Sequence, residues 1–238
     1  MAKVALVLSG CGFLDGAEIT ESVSCLVHLS RLGATVRCFA PDKPQADVVD
    51  HRAGKPLPGQ ARNVLTESAR IARGAIEPLG ALDPDDFDAV VFPGGYGAAK
   101  NLCDFASAGA RCTVDPEVKR VLTRFHQAGK PIGLCCIAPM LVARVLGVRA
   151  GGPGVCVTAG CDPGVAEAVA AMGSTHVDKP VDEAHVDEAH NVVTAPAYMY
   201  GEATPHDVFR GIGEMIEQVV GRAARDGGAA RTTAGRAG

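Results

Sequence analysis

Cys135 and Cys136 stand side by side in Gly133-Leu134-Cys135-Cys136-Ile137-Ala138-Pro139, where an apolar run gives way to a helix-period segment. A strand that turns abruptly into a helix presents one side chain at a tight elbow, with the helix N-terminus beneath it. A cysteine there meets partly unpaired backbone N–H groups and the positive end of the helix dipole. Both favour the thiolate, which is the nucleophile. Spacing leaves both candidates open. Cys135 has Gly133 two residues before it but bulky Ile137 two after, whereas Cys136 is followed by small Ala138 and by Pro139, well suited to a first helical turn. The competing reading makes both of them small buried core residues, the commonest fate of cysteine.

Two other features suit a nucleophile. Pro93-Gly94-Gly95 closes another apolar run, and glycines let the backbone approach a substrate and aim an N–H at developing negative charge. Glu21 falls near the start of a helix, off its apolar stripe of Ile19, Val23, Leu26 and Val27, which in an arbitrary helix means a solvated residue. That first turn, however, opens at the same end of the sheet as the elbow. Burial and a neighbouring thiolate there would raise the carboxyl pKa, so that Glu21 could donate a hydrogen bond to sulfur or shuttle a proton. Histidine is the informative absence: residues 155–162, where this fold would place a partner for the cysteine, contain none. His176, His185 and His190 come later, the last two in a polar run over residues 182–191 that reads as a solvated hairpin or loop. Amide hydrolysis, which needs a general acid for its leaving amine, loses ground.

The elements that must position these residues alternate. Buried strands are expected over residues 3–8, 35–39, 89–92, 131–135, 155–158 and 192–194, and helices over 18–32, 63–73, 116–128, 139–146, 165–172 and 206–220. Residues 42–60, polar and rich in Pro and Gly, read as an excursion from the sheet. The pattern implies an α/β fold: one doubly wound, mostly parallel sheet with helices on both faces, forming a single domain over residues 1–221. Residues 222–238, with one acidic residue and no apolar period, read as a disordered tail. Ligands of such sheets bind beyond the carboxyl ends of the strands, which selects the loops 9–16, 93–97 and 135–139.

Several function classes drop out. With 238 residues, a formal net charge of -4 and 47% hydrophobic residues, the chain has no basic field for nucleic acid or an anionic membrane. It also lacks an apolar run near the ~20 residues needed to span a bilayer. Nine cysteines without a Cys-x-x-Cys pair point to free thiols in a reducing compartment, not to disulfides or metal. The glycine loops lack a dinucleotide fingerprint or a Walker lysine.

Taken together, Val4 to Gly12, Asn63 to Ile71, Phe92-Pro93-Gly94-Gly95 with Gly97 to Leu102, the elbow, and Thr194 to Met199 closely resemble the ElbB family. That family is a branch of the PfpI/Parkinson-protein superfamily with a class I glutamine-amidotransferase-like (flavodoxin-like) fold. The likeness spans residues 1–220. It implies that Cys136, followed by two residues and a proline, is the nucleophile, that Glu21 is its acidic partner, and that Gly95 and Ile137 supply oxyanion-hole amides. It further implies a cofactor-independent glyoxalase of the glyoxalase III type (a hydro-lyase) acting on methylglyoxal or glyoxal, with no metal. A homodimer in the cytoplasm, or in an organelle matrix after transit-peptide removal, would follow. The alternatives are a redox-responsive or protein-binding member with an oxidisable Cys136 and, further off, a glutaminase-like amide hydrolase.

Overall fold

A computed structural model describes residues 1–234, with side chains to residue 225. In chain order, β1 (Lys3–Val7) leads through α1 (Ile19–Arg31) to β2 (Thr35–Ala40), then to a small hairpin of β3 (Val49–Asp50) and β4 (Lys55–Pro56). Next come α2 (Val64–Ile71), β5 (Ile76–Pro78), β6 (Ala89–Phe92), α3 (Tyr96–Lys100), α4 (Phe105–Ala108), α5 (Pro116–Gln127) and β7 (Ile132–Cys135). The rest comprises α6 (Pro139–Leu146), β8 (Cys156–Val157), α7 (Pro163–Ala171), β9 (Thr175–His176), β10 (His185–Asp187), β11 (Val192–Ala195) and α8 (Pro205–Ala234).

The main sheet has the order β10-β11-β7-β6-β1-β2-β5, parallel throughout except for β10. Both faces are covered, so the central strands are apolar along their length and not alternating. Val4, Leu6, Ala89 and Val91 point to one side, against Leu29 of α1 and Ile212, Met215 and Val219 of α8. Ala5, Val7, Val90, Phe92, Ile132 and Leu134 point to the other, against Leu122 and Phe125 of α5 and Leu141 and Val142 of α6. The doubly wound α/β sheet read from the sequence is the observed one.

Several elements differ from expectation. Residues 155–158 leave the main sheet: β8 pairs only with β9. The polar run over 182–191 forms the hairpin that was one of its two expected readings, but its first arm, β10, joins the main sheet as an edge. The outer strand β5 was not anticipated. On α1 the stripe of Ile19, Val23 and Val27 faces outward, while Glu21, Ser22, Ser24, Cys25, His28 and Leu29 are buried. Small side chains let this face sit close to the sheet and to α8. The last helix also continues past residue 221: Arg222 and Ala223 are buried, and the Arg222 guanidinium donates to both oxygens of Glu188 at 2.8 and 2.5 Å. Residues 235–238 of the expected tail lie outside the described residues.

Candidate functional site

The three selected loops meet at the carboxyl ends of β1, β6 and β7. The Glu18 N–H donates to Gly94 O at 3.0 Å, Tyr96 N–H to Phe13 O at 2.7 Å and Gly97 N–H to Gly16 O at 2.8 Å, tying the first loop to the second. Gly95 has φ +89°, and a Cβ there would overlap Glu18 N. Only glycine fits that turn. Cys136 is held at φ +58°, in the left-handed region that residues with a Cβ seldom occupy, and its N–H donates to Ala195 O at 2.9 Å. A strained elbow of this kind makes Cys136 a candidate functional position.

Directly beside Cys136 lies Glu21, fully buried. Its Oε2 accepts the Gly94 N–H at 2.9 Å and its Oε1 the Tyr198 N–H at 3.2 Å. Cys136 sits beside this carboxyl, and the Gly95 and Ile137 N–H groups lie close to its sulfur. Cys135 points beneath, its thiol donating to Glu21 Oε2 at 3.7 Å and touching Cys25. A Cβ on Gly94 would overlap Cys136 Cβ and lie 2.7 Å from Glu21 Oε2, so that glycine creates the room in which thiol and carboxyl meet. Above them opens a cavity of about 330 Å³ walled by Phe13, Tyr96, Ile137, Tyr198 and Met199, with Glu18 at its side. No histidine lines it.

Burial, and then the neighbouring Glu18, push the Glu21 pKa up to about 7. Burial also raises Glu18, although its carboxylate accepts the Glu21 N–H at 2.6 Å. Cys136 is pushed well above the ordinary thiol range by burial and by the Glu21 charge, against which the Gly95 and Ile137 amides pull. The expectation of a resting thiolate is therefore corrected. The first turn of α6 offers the sulfur few free amides. The Ala138 and Met140 N–H groups are spent on Cys135 O and Ile137 O at 3.0 and 3.1 Å, and Pro139 has none. In the resting site above about pH 7, a neutral thiol sits beside a carboxylate, a pair that can pass one proton between sulfur and oxygen.

The structure thus brings Cys136, Glu21, Gly95 and Ile137 together. His176 and His190 are engaged elsewhere, with the Ala159 N–H at 3.2 Å and with Asp187 at 2.9 Å. Sequence reasoning missed Glu18, which stood only as the first residue of an expected helix, and the Tyr198 amide, which entered only within the Thr194 to Met199 resemblance. Among the described residues no group of three or more His, Cys, Asp or Glu is arranged to hold a metal, and no helix is long and apolar enough to cross a membrane.

No family model matches the chain. Whole-chain relatives do. The human glutamine amidotransferase-like class 1 domain-containing protein 3, mitochondrial, is 55% identical over 228 residues, covering 92% of this chain and 82% of the relative. The rat ES1 protein homolog, mitochondrial, is 53% identical over 92% of this chain and 83% of its own length. The chain belongs to the ES1 family of glutamine amidotransferase-like class 1 proteins. Among solved structures, this ES1-family chain is similar to an isoprenoid biosynthesis protein with an amidotransferase-like domain from Ehrlichia chaffeensis. The TM-score is 0.86 at 37% identity, over 93% of this chain and 99% of that one. Drosophila melanogaster DJ-1beta shares the fold at TM-score 0.53 and 20% identity, over 97% of this chain and 98% of its own.

Proposed function

We propose that this chain is a cofactor-independent enzyme of the ElbB type that converts an α-oxoaldehyde such as methylglyoxal or glyoxal to the 2-hydroxy acid. The observation that carries the reading is the Cys136 thiol set beside buried Glu21 on the floor of a cavity without histidine. As the sulfur attacks the aldehyde, its proton passes to the Glu21 carboxylate, whose pKa of about 7 suits both taking and returning it. The Gly95 and Ile137 amides, already turned toward the sulfur, hold the oxyanion of the hemithioacetal. Glu21 hands that proton to the oxyanion, giving the hemithioacetal hydroxyl, and as a carboxylate again it removes the proton from C1. With the C2 oxygen protonated this is an enediol, and transfer of a proton to C2 with loss of the C1 hydroxyl proton leaves a 2-hydroxyacyl thioester on Cys136. Water cleaves the thioester and restores the thiol. The net change is oxoaldehyde plus water to hydroxy acid, with no net oxidation, and belongs to the hydro-lyase class.

The raised Cys136 pKa disfavours the redox-sensor alternative, since sensor cysteines are low-pKa thiolates. The missing histidine disfavours amide hydrolysis. The outward stripe of Ile19, Val23 and Val27 supports a homodimer, because soluble monomers seldom expose a contiguous apolar face. Relatives named mitochondrial support an organelle-matrix location. The test is lactate formation from methylglyoxal by wild type, Cys136→Ala, Cys135→Ala and Glu21→Gln. Activity is expected to vanish in the first variant, persist in the second and fall by about 100-fold or more in the third. Loss in Cys135→Ala with retention in Cys136→Ala overturns the assignment.

A further inference from the structure

The cavity above Cys136 is much larger than a three-carbon substrate requires. Its volume of about 330 Å³ lies in the class that buries most of a drug-sized ligand. Phe13, Tyr96, Ile137, Tyr198 and Met199 make its walls largely apolar; Glu18 is the charged residue at its side, and no Lys or Arg lines it. Water held against such walls lacks hydrogen-bond partners, and an apolar group that displaces it gains the free energy of its buried area. The cleft also has a direction. A shallow groove along residues 180–203 shares Met199 and Gly201 with the cavity, so the open path runs from the sulfur over Met199. The groove likewise has no cationic lining, leaving nothing to pair with a phosphate or carboxylate.

We infer that the substrate of this site carries an apolar, non-anionic substituent larger than methyl, aryl or extended alkyl, on the carbon next to its aldehyde, seated over Met199. The oxoaldehyde part of this statement rests on the function proposed above; the substituent rests on the cavity alone. The reaction stays balanced as before: R–CO–CHO and water give R–CH(OH)–COOH, with R untouched.

Two measurements separate these parts. The first compares kcat/KM for phenylglyoxal and methylglyoxal. The second compares alkylation of Cys136 by phenacyl bromide and bromoacetone, each rate divided by that with glutathione. The aryl compound is expected to be favoured by about 10-fold or more in both, as burying a phenyl-sized group implies. Met199→Ala is expected to shrink the preference and Met199→Leu, which keeps the volume, to retain it. A normalised alkylation ratio near one, or no alkylation by either reagent, overturns the inference. An unchanged ratio in Met199→Ala overturns the path over Met199. Aryl-selective alkylation without turnover of either aldehyde removes the glyoxalase reading and leaves the subsite standing. Equal turnover of both aldehydes with a ratio near one does the reverse.

Discussion

Glu21→Gln separates the ionisation of this carboxyl from its shape. The side chain is fully buried and its pKa stands at about 7 against an ordinary 4.5. Between those values the native state keeps a proton that the unfolded chain has released. Stability therefore falls as pH rises through this window and levels off above the folded pKa. At roughly 1.4 kcal/mol for each pH unit separating the two values, the loss amounts to about 3 kcal/mol by pH 8. Glutamine cannot ionise and escapes it. The substitution has a cost of its own, because the carboxylate accepts both the Gly94 N–H at 2.9 Å and the Tyr198 N–H at 3.2 Å. An amide offers one acceptor, so one of those donors loses its partner, at ~1–2 kcal/mol. The variant should thus be slightly less stable than wild type at pH 5 and ~1–2 kcal/mol more stable at pH 8. That is a Tm gain of roughly 2–8 °C for a chain of this size. Thermal unfolding followed by circular dichroism from pH 5 to pH 8 reads the difference directly. A Tm difference of constant sign and size across that range would refute the argument, because it would mean that Glu21 ionises as readily in the folded protein as in the unfolded one.

The proton relay makes a companion prediction for reactivity. Alkylation of Cys136 by iodoacetamide should accelerate about tenfold per pH unit below 7 and flatten above it, as the Glu21 carboxylate becomes available to take the thiol proton; in Glu21→Gln the rise should move above pH 9. Gly94→Ala places a Cβ over Cys136 Cβ and 2.7 Å from Glu21 Oε2. It should cost ~1–3 kcal/mol in thermal unfolding and abolish methylglyoxal turnover. Val23→Asp puts a charge in the middle of the outward stripe, and light scattering should then report a monomer where wild type gives a dimer, with the far-ultraviolet spectrum unchanged.

The parts of this molecule legible in its sequence are those where one physical demand dominates. Strands covered on both faces must be apolar throughout, so β1, β6, β7 and β11 announced themselves, and the glycines and the cysteine pair at their ends marked the loops that converge. Edge strands obey no such demand. Glu77 in β5 and Asp187 in β10 interrupt the apolar signal, since a strand with one neighbour need not be hydrophobic. Helix periodicity has a different blind spot: it finds a stripe but does not say which side of the helix the core lies on. On α1 the stripe of Ile19, Val23 and Val27 is outside, and the buried side carries Glu21, Ser22, Ser24 and Cys25. That inversion is what brings Glu21 to the sulfur. A helix that turned its apolar side to the sheet would leave this carboxyl in water near its ordinary pKa, unable to exchange a proton with a thiol near neutrality. The charge state of Cys136 was misjudged for a related reason. Elbow geometry promises amides and a dipole, but the effect of burial and of a carboxylate at contact range exceeds what the two remaining amides supply. A pair built this way stores its reactivity in a shared proton and not in a standing anion. A soft electrophile such as an alkyl halide or a peroxide uses only the half of it that frees the sulfur. An aldehyde whose oxygen needs a proton as its carbon takes the sulfur gains from both partners at once.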